Sequence, residues 1–502
     1  MSDIKRGKSF TWVWVSTTVL LCAMFTFAII PSVAAQGNSD SSSSGINQAQ
    51  QNRRYISIMQ NVFDFIQRNY VDEIDSKKLF EGAMNGMLGA LEDPYSSFLS
   101  ESDMSDMNDT TQGSFGGVGL NITKAVTPRP DGKPMWVEVA SPIEDTPGWR
   151  AGINPGDFIV EIDGMPTENI TMDEVLSKLR GTPGTSVRLL IRRGERMVFP
   201  VTITRAVIEV PTAKHAMIGD TGYLKLLTFT PMTADRARDA INEFRNNNYK
   251  SLILDLRNNY GGLLNSAVDI SSLFFDGGPI VSIKSRIASE NRNFSARRNS
   301  LVPANIPIIV LINRGSASAS EIVAGALKDR GRAYLVGERT FGKGSVQQVY
   351  PLDGTGFRLT TARYYTPSDV NIDKIGIPPD REVKFPEYTE EDAVKVNELI
   401  NANRIPEFAE RNPQASAAQV EAFAVSLERE YHLDLALLKR MIRNELNRTI
   451  IAPVYDLEYD VQLQEALNIL RNGSYPSLMH NSKTLKVLQE EAEKELPIAL
   501  AS

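Results

Sequence analysis

The sequence contains almost no cysteine and very little histidine. Among its 502 residues there are one cysteine and three histidines. Cys22 has no second cysteine in the chain, so an internal disulfide is excluded. His215, His432 and His480 are too few for a histidine-rich zinc site, and they supply a Ser-His-Asp triad poorly. If this chain has a serine nucleophile, that serine needs a base other than histidine, and lysine is favoured.

A large excess of charge of one sign is also lacking. The chain carries 54 Lys and Arg against 61 Asp and Glu, which gives a net charge of −7. No strongly basic face is evident, so nucleic acid is not the expected partner. The length predicts about three domains, with ample chain for a hydrophobic core.

The one long apolar run lies at the N-terminus. Residues 10–30 are mostly apolar, follow several basic residues and precede small residues that end at Ala35. This pattern is typical of either a cleaved export signal or an uncleaved membrane anchor over residues 1–35, and we prefer the anchor slightly. Both interpretations place the remaining chain outside the cytoplasm, in the periplasm or cell envelope. The Ser-, Asn- and Gln-rich residues 36–51 predict a flexible linker.

Helical spacing of apolar residues marks two further regions. In residues 52–110 a stripe includes Ile58, Val62 and Phe65, which predicts a helical region that packs into a core or against a partner helix. Residues 387–502 predict a helical extension, with an apolar stripe that packs against the core or a second subunit. A homodimer is therefore considered. The role of the extension does not follow from the sequence.

A β-rich domain with one helix is predicted for residues 111–205. The pattern AG-x-x-x-GD-x-I-x-x-I-x-G follows GVGL and a predicted strand, and precedes a predicted helix and a pair of hairpin strands. This arrangement resembles a PDZ domain. Such domains add an extended peptide to a sheet edge and bind its terminal carboxylate through loop amides. The resemblance implies a carboxylate loop that consists of Gly117, Val118, Gly119 and Leu120.

Strands and helices alternate over residues 206–386, as in an α/β core. An apolar run at residues 306–312 predicts a buried strand, and a helix with an S-x-x-E capping box begins at Ser318. The first N–H groups of a helix lack intrahelical partners, and its dipole favours negative charge there. Ser318 can therefore attack a carbonyl while nearby amides hold the oxyanion. The residues alone also allow an ordinary N-cap serine.

Lys343 ends a segment that matches most of a phosphate-binding loop, G-x-x-x-x-G-K. The next residue is Gly344, so no hydroxyl is available for Mg²⁺, and a strand pattern follows where that loop opens a helix. ATP binding is therefore not expected. Lys343 is either an ordinary surface lysine or a base.

Residues 316–347, SASASEIVAGALKDRGRAYLVGERTFGKGSVQ, resemble the active-site region of the C-terminal processing peptidases, also called tail-specific proteases. The resemblance continues over residues 55–385. It implies a catalytic dyad of Ser318 and Lys343, with Gln347 supporting the lysine. Because the base must be neutral, burial has to lower the lysine pKa from its ordinary value near 10.4.

The same resemblance implies the groups around the dyad. One oxyanion amide belongs to Ala319, and the other belongs to Gly261 or Gly262. Tyr260 stands where the family commonly has proline, which puts the rigidity of this loop in question. In related enzymes an arginine at the position of Arg180 can couple the PDZ domain to the active site.

The fold implied by the resemblance is an α+β multidomain protein. A helical N-terminal region and a PDZ domain precede an α/β protease core of the crotonase/ClpP-like type, and a helical extension follows. The implied function is an exported serine endopeptidase that cuts protein substrates near their C-termini through an acyl-enzyme. The PDZ domain is expected to bind an unstructured apolar tail, and an activating or adaptor protein is considered. No metal, nucleotide or other cofactor is expected.

Two other functions are alternatives to this one. A non-catalytic PDZ-type scaffold on a protease-like fold would have no need of Ser318, Lys343 and Gln347 together. A crotonase-type acyl-CoA enzyme would leave the PDZ-like domain unexplained.

Overall fold

The computed structural model describes residues 44–125, 134–194, 196–386, 389–447 and 453–491. The chain divides into one unit that ends at Ala83 and a second that begins at Met84. The predicted signal or anchor over residues 1–35 lies outside the described residues. Within the ranges given above, none of the helices combines the length and hydropathy that a membrane span requires.

Two helices open the described chain, α1 (Ser44–Asn69) and α2 (Ser76–Gly89). Helix α1 begins inside the predicted linker, so the prediction of a flexible linker is wrong for residues 44–51. Glutamine is a good helix former, and the glutamines there continue the helix that follows. Within the first unit, the predicted stripe of α1 is exposed, since Phe65 is 67 % exposed and Val62 is 51 % exposed.

In its described residues, the predicted PDZ domain is a six-stranded sheet with one principal helix. The sheet order is β3-β4-β5-β7-β8, with β6 on β5, so β3 lies at an edge. Helix α5 begins with a capping box between Thr171 and Glu174. The bounds of its elements, with the preceding β1, α3 and β2, are β1 (Ser97–Leu99), α3 (Glu101–Gln112), β2 (Ser114–Gly117), β3 (Leu120–Lys124), β4 (Val137–Pro142), α4 (Pro147–Arg150), β5 (Phe158–Ile162), β6 (Met165–Pro166), α5 (Met172–Leu179), β7 (Ser186–Arg193) and β8 (Met197–Thr204).

A two-stranded antiparallel ribbon joins the predicted PDZ domain to the α/β core. Strand β2 leads into the domain, and β9 (Ala206–Glu209) leads out of it and pairs with β2. The ribbon is closed by a hydrogen bond from Val210 N–H to the Gly113 carbonyl, 3.0 Å long. The chain therefore enters and leaves the PDZ domain side by side.

The α/β core contains two sheets. The larger has the order β10-β11-β12-β15-β16-β19, parallel from β11 onward, and the smaller has the order β1-β18-β13-β14 with β17 on β18. The bounds of the core elements are β10 (Ala213–Ile218), β11 (Thr221–Leu226), α6 (Thr233–Asn246), β12 (Ser251–Asp255), α7 (Leu264–Ser272), β13 (Pro279–Ser285), β14 (Arg292–Ser295), β15 (Ile308–Ile312), α8 (Ala319–Asp329), β16 (Tyr334–Gly337), β17 (Ser345–Leu352), β18 (Thr355–Tyr365) and β19 (Arg381–Glu382).

The central parallel strands are buried on both faces, which explains their continuous apolar sequences. In β12, Leu252 and Leu254 pack towards α6, α7 and α8, whereas Ile253 packs into a second cluster on the opposite face. That second cluster is completed by residues of the C-terminal extension, among them Leu463 and Leu467. The packing of this stripe against the core was one of the two predicted alternatives.

The C-terminal extension is helical, as predicted, and it has two parts. Helices α9 to α12 enclose their own apolar cluster, which includes Leu438 and Ile442. The two later helices cover one face of the large sheet. Their bounds are α9 (Glu390–Asn401), α10 (Arg404–Arg411), α11 (Ala417–Tyr431), α12 (Leu435–Leu446), α13 (Val461–Arg471) and α14 (Tyr475–Asn481). The predicted fold class is confirmed: helical regions at both ends, and a PDZ domain before an α/β core.

Candidate active site

Ser318 lies at the turn between β15 and α8, in the region that joins the carboxyl ends of parallel strands. Such edges are where ligands bind in open α/β sheets. Ser318 is the N-cap residue of α8, with φ 56° and ψ −112°, a conformation that is costly for a residue with a side chain. The preceding turn is bonded to the residue that follows β12, because Ser316 Oγ donates to the Leu256 carbonyl at 2.9 Å. The fold therefore presents Ser318 on a strained, well-supported turn.

The buried carboxylate of Glu321 joins the backbone of Ser318 to that of Lys343. Its Oε2 accepts from the N–H groups of Ser318 at 2.8 Å and Lys343 at 2.9 Å. Its Oε1 accepts from Thr340 Oγ1 at 2.6 Å and from Gly342 N–H at 2.8 Å. Burial raises the pKa of Glu321, and the hydrogen bonds oppose this shift. Because all four partners donate, the ionised carboxylate satisfies them best. Sequence reasoning identified Glu321 only as part of a capping box.

The Lys343 side chain is half-buried, and its ammonium lies over the ring of Tyr95, 4.7 Å from the ring centroid. Burial lowers the pKa of Lys343, and the nearby Arg358 lowers it further. The carboxylates of Asp93 and Glu321 act in the opposite direction, but the net shift is downward. A lowered pKa favours the neutral amine that a base requires.

No hydrogen bond joins Ser318 Oγ to Lys343 Nζ in the described part of the chain. The two residues are nevertheless close through their backbones, since the buried Tyr364 hydroxyl faces the carbonyl oxygens of both. Gln347 Nε2 donates to Ser345 Oγ at 2.9 Å and to Thr360 Oγ1 at 3.1 Å, and not to the lysine. The structure thus brings the predicted residues into one region, and their catalytic roles stay predictions.

The loop after β12 lies against the turn that carries Ser318. Gly261 has φ 102°, and a Cβ there would lie 2.8 Å from the Ala317 carbonyl oxygen and 2.9 Å from Ser318 Cβ. The Gly261 N–H donates to Asn259 Oδ1 at 2.9 Å. Among the residues that the structure describes, the N–H groups of Gly262 and Ala319 have no acceptor. Of the two glycines predicted as oxyanion donors, Gly262 is therefore the one whose N–H stays available in the described chain.

Asn259 holds this loop to the turn that carries Ser318, and sequence reasoning missed it. The residue is fully buried. Its carbonyl accepts from Ala317 N–H at 3.0 Å and from Ser320 Oγ at 2.8 Å, while its Nδ2 donates to the Leu226 carbonyl at 2.9 Å. The next residue, Tyr260, is 77 % exposed. The loop is therefore fixed by Asn259 even though proline is absent.

The predicted PDZ loop borders an apolar groove of about 330 Å³. The groove is lined by Gly117, Val118, Leu120 and residues of α5, and β3 offers its free edge beside it. In the described ranges, the N–H groups of Val118 and Gly119 donate no hydrogen bond. Gly119 has φ 77°, and a Cβ there would lie 2.3 Å from Thr146, so only glycine fits. These features are what a terminal carboxylate and an extended peptide need.

Arg180 also borders this groove, at the C-terminal end of α5. Its guanidinium lies over the ring of Phe115, 5.1 Å from the centroid. Phe115 belongs to β2, which is one strand of the ribbon that connects the two domains. The structure therefore places Arg180 between the groove and the connection to the core.

The position of histidine agrees with a lysine base. His215 of β10 contacts Glu243 of α6 at 2.9 Å, and its ring lies against the ring of Phe244. In the described ranges, no group of three or more His, Cys, Asp and Glu side chains is arranged to bind a metal ion.

Three family models match the chain. Peptidase family S41 matches residues 220–383, a PDZ domain matches residues 138–193, and the activating protease CtpB N-terminal domain matches residues 19–103. The protease match contains the Ser318 and Lys343 region, and the PDZ match contains α5.

Several curated relatives align with this chain over more than half of their length. A carboxy-terminal-processing protease of Bartonella bacilliformis is 41 % identical over 346 residues, which is 68 % of this chain and 77 % of the relative. Carboxy-terminal processing protease CtpB of Bacillus subtilis is 31 % identical over 440 residues, 82 % of this chain and 88 % of the relative. The chloroplastic carboxyl-terminal-processing peptidase 2 of Arabidopsis thaliana is 38 % identical over 308 residues, 59 % of each chain.

Proposed function

Because this chain belongs to peptidase family S41, the carboxy-terminal processing proteases, we propose that it cuts protein substrates near their C-termini with a Ser318/Lys343 dyad. It is a serine-type peptidase with a PDZ domain. The observation that carries the dyad is the Glu321 carboxylate, which binds the backbone N–H groups of Ser318 and Lys343 through one oxygen. This contact supports the proposal because it fixes the backbones of Ser318 and Lys343 relative to each other.

In the proposed first step, neutral Lys343 takes the proton from Ser318 Oγ, and the oxygen attacks the peptide carbonyl. The amine has to leave the ring of Tyr95 and approach the serine, since no hydrogen bond joins them within the described chain. The lowered pKa of Lys343 supports this step because it makes the neutral amine more available. Gln347 is proposed to accept from the amine through Oε1, the amide oxygen opposite the nitrogen that binds Ser345 and Thr360.

The negative charge that develops on the carbonyl oxygen is proposed to be held by the N–H groups of Gly262 and Ala319. Donors of this kind stabilise the tetrahedral intermediate more than the substrate. The peptide C–N bond then breaks, and the protonated Lys343 returns its proton to the leaving amine. Water, activated by neutral Lys343, hydrolyses the acyl-enzyme and releases the shortened protein.

The PDZ domain is proposed to select the substrate by its tail. The terminal carboxylate would bind the N–H groups of Val118 and Gly119, and apolar side chains would occupy the groove beside Leu120. Arg180, stacked on Phe115 of the connecting ribbon, is proposed to transmit occupation of the groove to the core. Arg180→Ala with unchanged turnover and unchanged dependence on the tail would contradict that role.

The location and the partners of the protein complete the proposal. We place the enzyme outside the cytoplasm, in the periplasm or cell envelope, with residues 1–35 as its membrane anchor.

The match to an activating protease's N-terminal domain favours an activating or adaptor protein as partner. The exposed apolar side chains of α1, such as Phe65, favour a homodimer. Light scattering of the solubilised full chain and of Phe65→Asp tests the dimer, because the charge should produce a monomer.

The central test gives the full chain an unfolded protein with an apolar C-terminal tail. Fragmentation is followed beside Ser318→Ala and Lys343→Ala. Cleavage that only the parent performs is the expected result. Equal cleavage by all three would assign the activity to another site. Tail binding without cleavage by the parent would favour a PDZ-type scaffold over a protease.

A further inference from the structure

We propose that the C-terminal extension positions the oxyanion loop of the core, through a salt bridge from Asp460 to Arg257. This inference rests on the proposed function, because it assigns the loop a part in catalysis. Asp460 is a positioning residue in this account, since it acts through Arg257 and touches no substrate. The extension thereby acquires a role that the sequence did not supply.

Arg257 is buried between two carboxylates. Its side chain contacts Asp255 through Nε at 2.9 Å and through Nη2 at 2.7 Å. On its other side Nη1 donates to Asp460 Oδ1 at 2.7 Å, and Nη2 donates to Oδ2 at 2.6 Å. Gln462 Oε1 accepts from Nη1 at 3.1 Å. Only 6 % of Arg257 is exposed, so water cannot replace these partners easily.

The two partners from the extension are themselves fixed. Asp460 is the N-cap of α13, and its Oδ1 also accepts from Leu463 N–H at 3.0 Å. Gln462 Nε2 donates to the Val383 carbonyl at 2.7 Å, which ties the start of α13 to the segment after β19. Helix α13 packs on the large sheet through buried residues. The carboxylate that meets Arg257 is therefore held by the fold.

A short stretch of rigid backbone leads from Arg257 to the oxyanion amide. The Arg257 N–H donates to Asp255 Oδ1 at 2.9 Å, and Asn258 N–H donates to Asn313 Oδ1 at 3.0 Å. Asn259 then binds the turn that carries the nucleophile. The loop is thus held at Arg257 by the extension and at Asn259 by the nucleophile turn. Loss of either support should displace the Gly262 N–H.

Asp460→Asn separates this role from helix capping. Asparagine is as good an N-cap as aspartate, so the variant keeps the cap of α13 and removes the charge that binds Arg257. Asp434→Asn is a matched control, because Asp434 caps α12 in the same way, by accepting from Leu437 N–H at 2.8 Å. That helix belongs to the separate α9–α12 bundle.

The experiment compares the parent, Asp460→Asn, Asp460→Glu and Asp434→Asn as full chains. For Asp460→Asn we expect kcat to fall about 10- to 100-fold, below the roughly 10²- to 10³-fold loss that follows removal of a whole oxyanion donor. KM and binding of a tail peptide should change less than about threefold, because the PDZ groove is untouched. Affinity for a peptide boronate, which mimics the tetrahedral adduct, should fall in parallel with kcat. Asp460→Glu keeps the charge and should retain more activity than the amide variant.

Hydrogen exchange of the peptide that covers residues 257–263 provides a readout that needs no activity. We expect faster exchange there in Asp460→Asn than in the parent, and no change in Asp434→Asn. Unchanged exchange with an unchanged kcat overturns the inference. A parent that cleaves nothing refutes the proposed function, whereas faster exchange in Asp460→Asn would still support the positioning role. Should Asp460→Asn fail to fold, Gln462→Ala removes the weaker contact to Arg257 and is expected to produce the same changes at smaller size.

Discussion

Replacement of Glu321 by glutamine distinguishes a structural cap from a clamp of the active site. Glutamine is accepted at the same position of a capping box, so a residue that only caps α8 should tolerate Glu321→Gln with little loss. The observed contacts predict otherwise. All four groups around the carboxylate donate hydrogen bonds, and the three backbone N–H groups among them cannot turn round.

The magnitude follows from the orientation of the new amide. With its nitrogen in the place of Oε2, glutamine would face the N–H groups of Ser318 and Lys343, and both would lose their acceptor. A hydrogen bond to a charged group contributes about 1.5–3 kcal/mol. The opposite orientation spares these two but faces Gly342 N–H and Thr340, whose hydroxyl accepts from Ile377 N–H at 2.6 Å. We therefore expect the free energy of unfolding to fall by roughly 3 kcal/mol, a large share of the 5–15 kcal/mol of a typical domain.

The effect on catalysis should exceed the effect on substrate binding. Displacement of a reacting group by about 1 Å costs on the order of 100-fold in rate, so kcat for tail cleavage should fall by about that factor with KM nearly unchanged. Urea unfolding and steady-state kinetics on the same preparation measure both quantities. Glu430→Gln is the control, since its ion pair with Arg404 is exposed and worth little. A folded Glu321→Gln enzyme with parental kcat and parental stability would refute the clamp.

Three further predictions concern the base, the loop and the groove. Arg358→Gln removes a cation that lowers the pKa of Lys343, so the acidic limb of the kcat/KM profile should move to higher pH. Asp93→Asn removes an anion that raises the pKa of Lys343, so the same limb should move to lower pH. Shifts of the two variants in the same direction would contradict a lysine base. Gly261→Ala forces a Cβ to within 2.8 Å of the Ala317 carbonyl at φ 102°, and kcat should fall at least tenfold in a protein whose tail binding by calorimetry is normal. Leu176→Ser removes apolar lining from the groove and should weaken tail-peptide binding about tenfold, whereas hydrolysis of a short peptide without a tail should not change.

The titration of Lys343 also has a consequence for stability. Its folded pKa is lowered relative to the unfolded chain, so the unfolded state binds more protons between the two values. Stability contributed by this group therefore rises with pH from the folded pKa up to the ordinary lysine range. Lys343→Met should remove this part of the pH dependence, and unfolding experiments at several alkaline pH values measure it.

Local signals in the sequence predicted individual elements well. The helix predicted within residues 111–205 is α5 (Met172–Leu179), which could be recognised because caps and apolar spacing act within a few residues. The strand before Ser318 and the helix after it were found for the same reason. The glutamine-rich segment was misjudged, since its composition suits both a linker and the first turns of α1.

Contacts between distant parts of the chain could not be predicted in this way. Glu321 looked like a cap because its contact to Lys343 spans 22 positions. The contact of Arg257 with Asp460 spans 203 positions and depends on how α13 packs. The side-chain bonds of Gln347 depend on the pairing of β17 with β18, which no short motif specifies. These contacts connect the site residues to distant parts of the chain, and they can be identified only once the fold is known.

Because β2 and β9 pair with each other, the PDZ domain can be exchanged as a unit. Both ends of the domain meet at this ribbon, so a different domain of similar span could be grafted between Gly117 and Ala206 without a change in the core's own strand order. Under the proposed function, such a graft would change the tail that is bound and leave the Ser318/Lys343 pair in place, provided that it keeps an arginine against Phe115 as Arg180 is. A chimera with a foreign tail-binding domain should cut new proteins with the old active site.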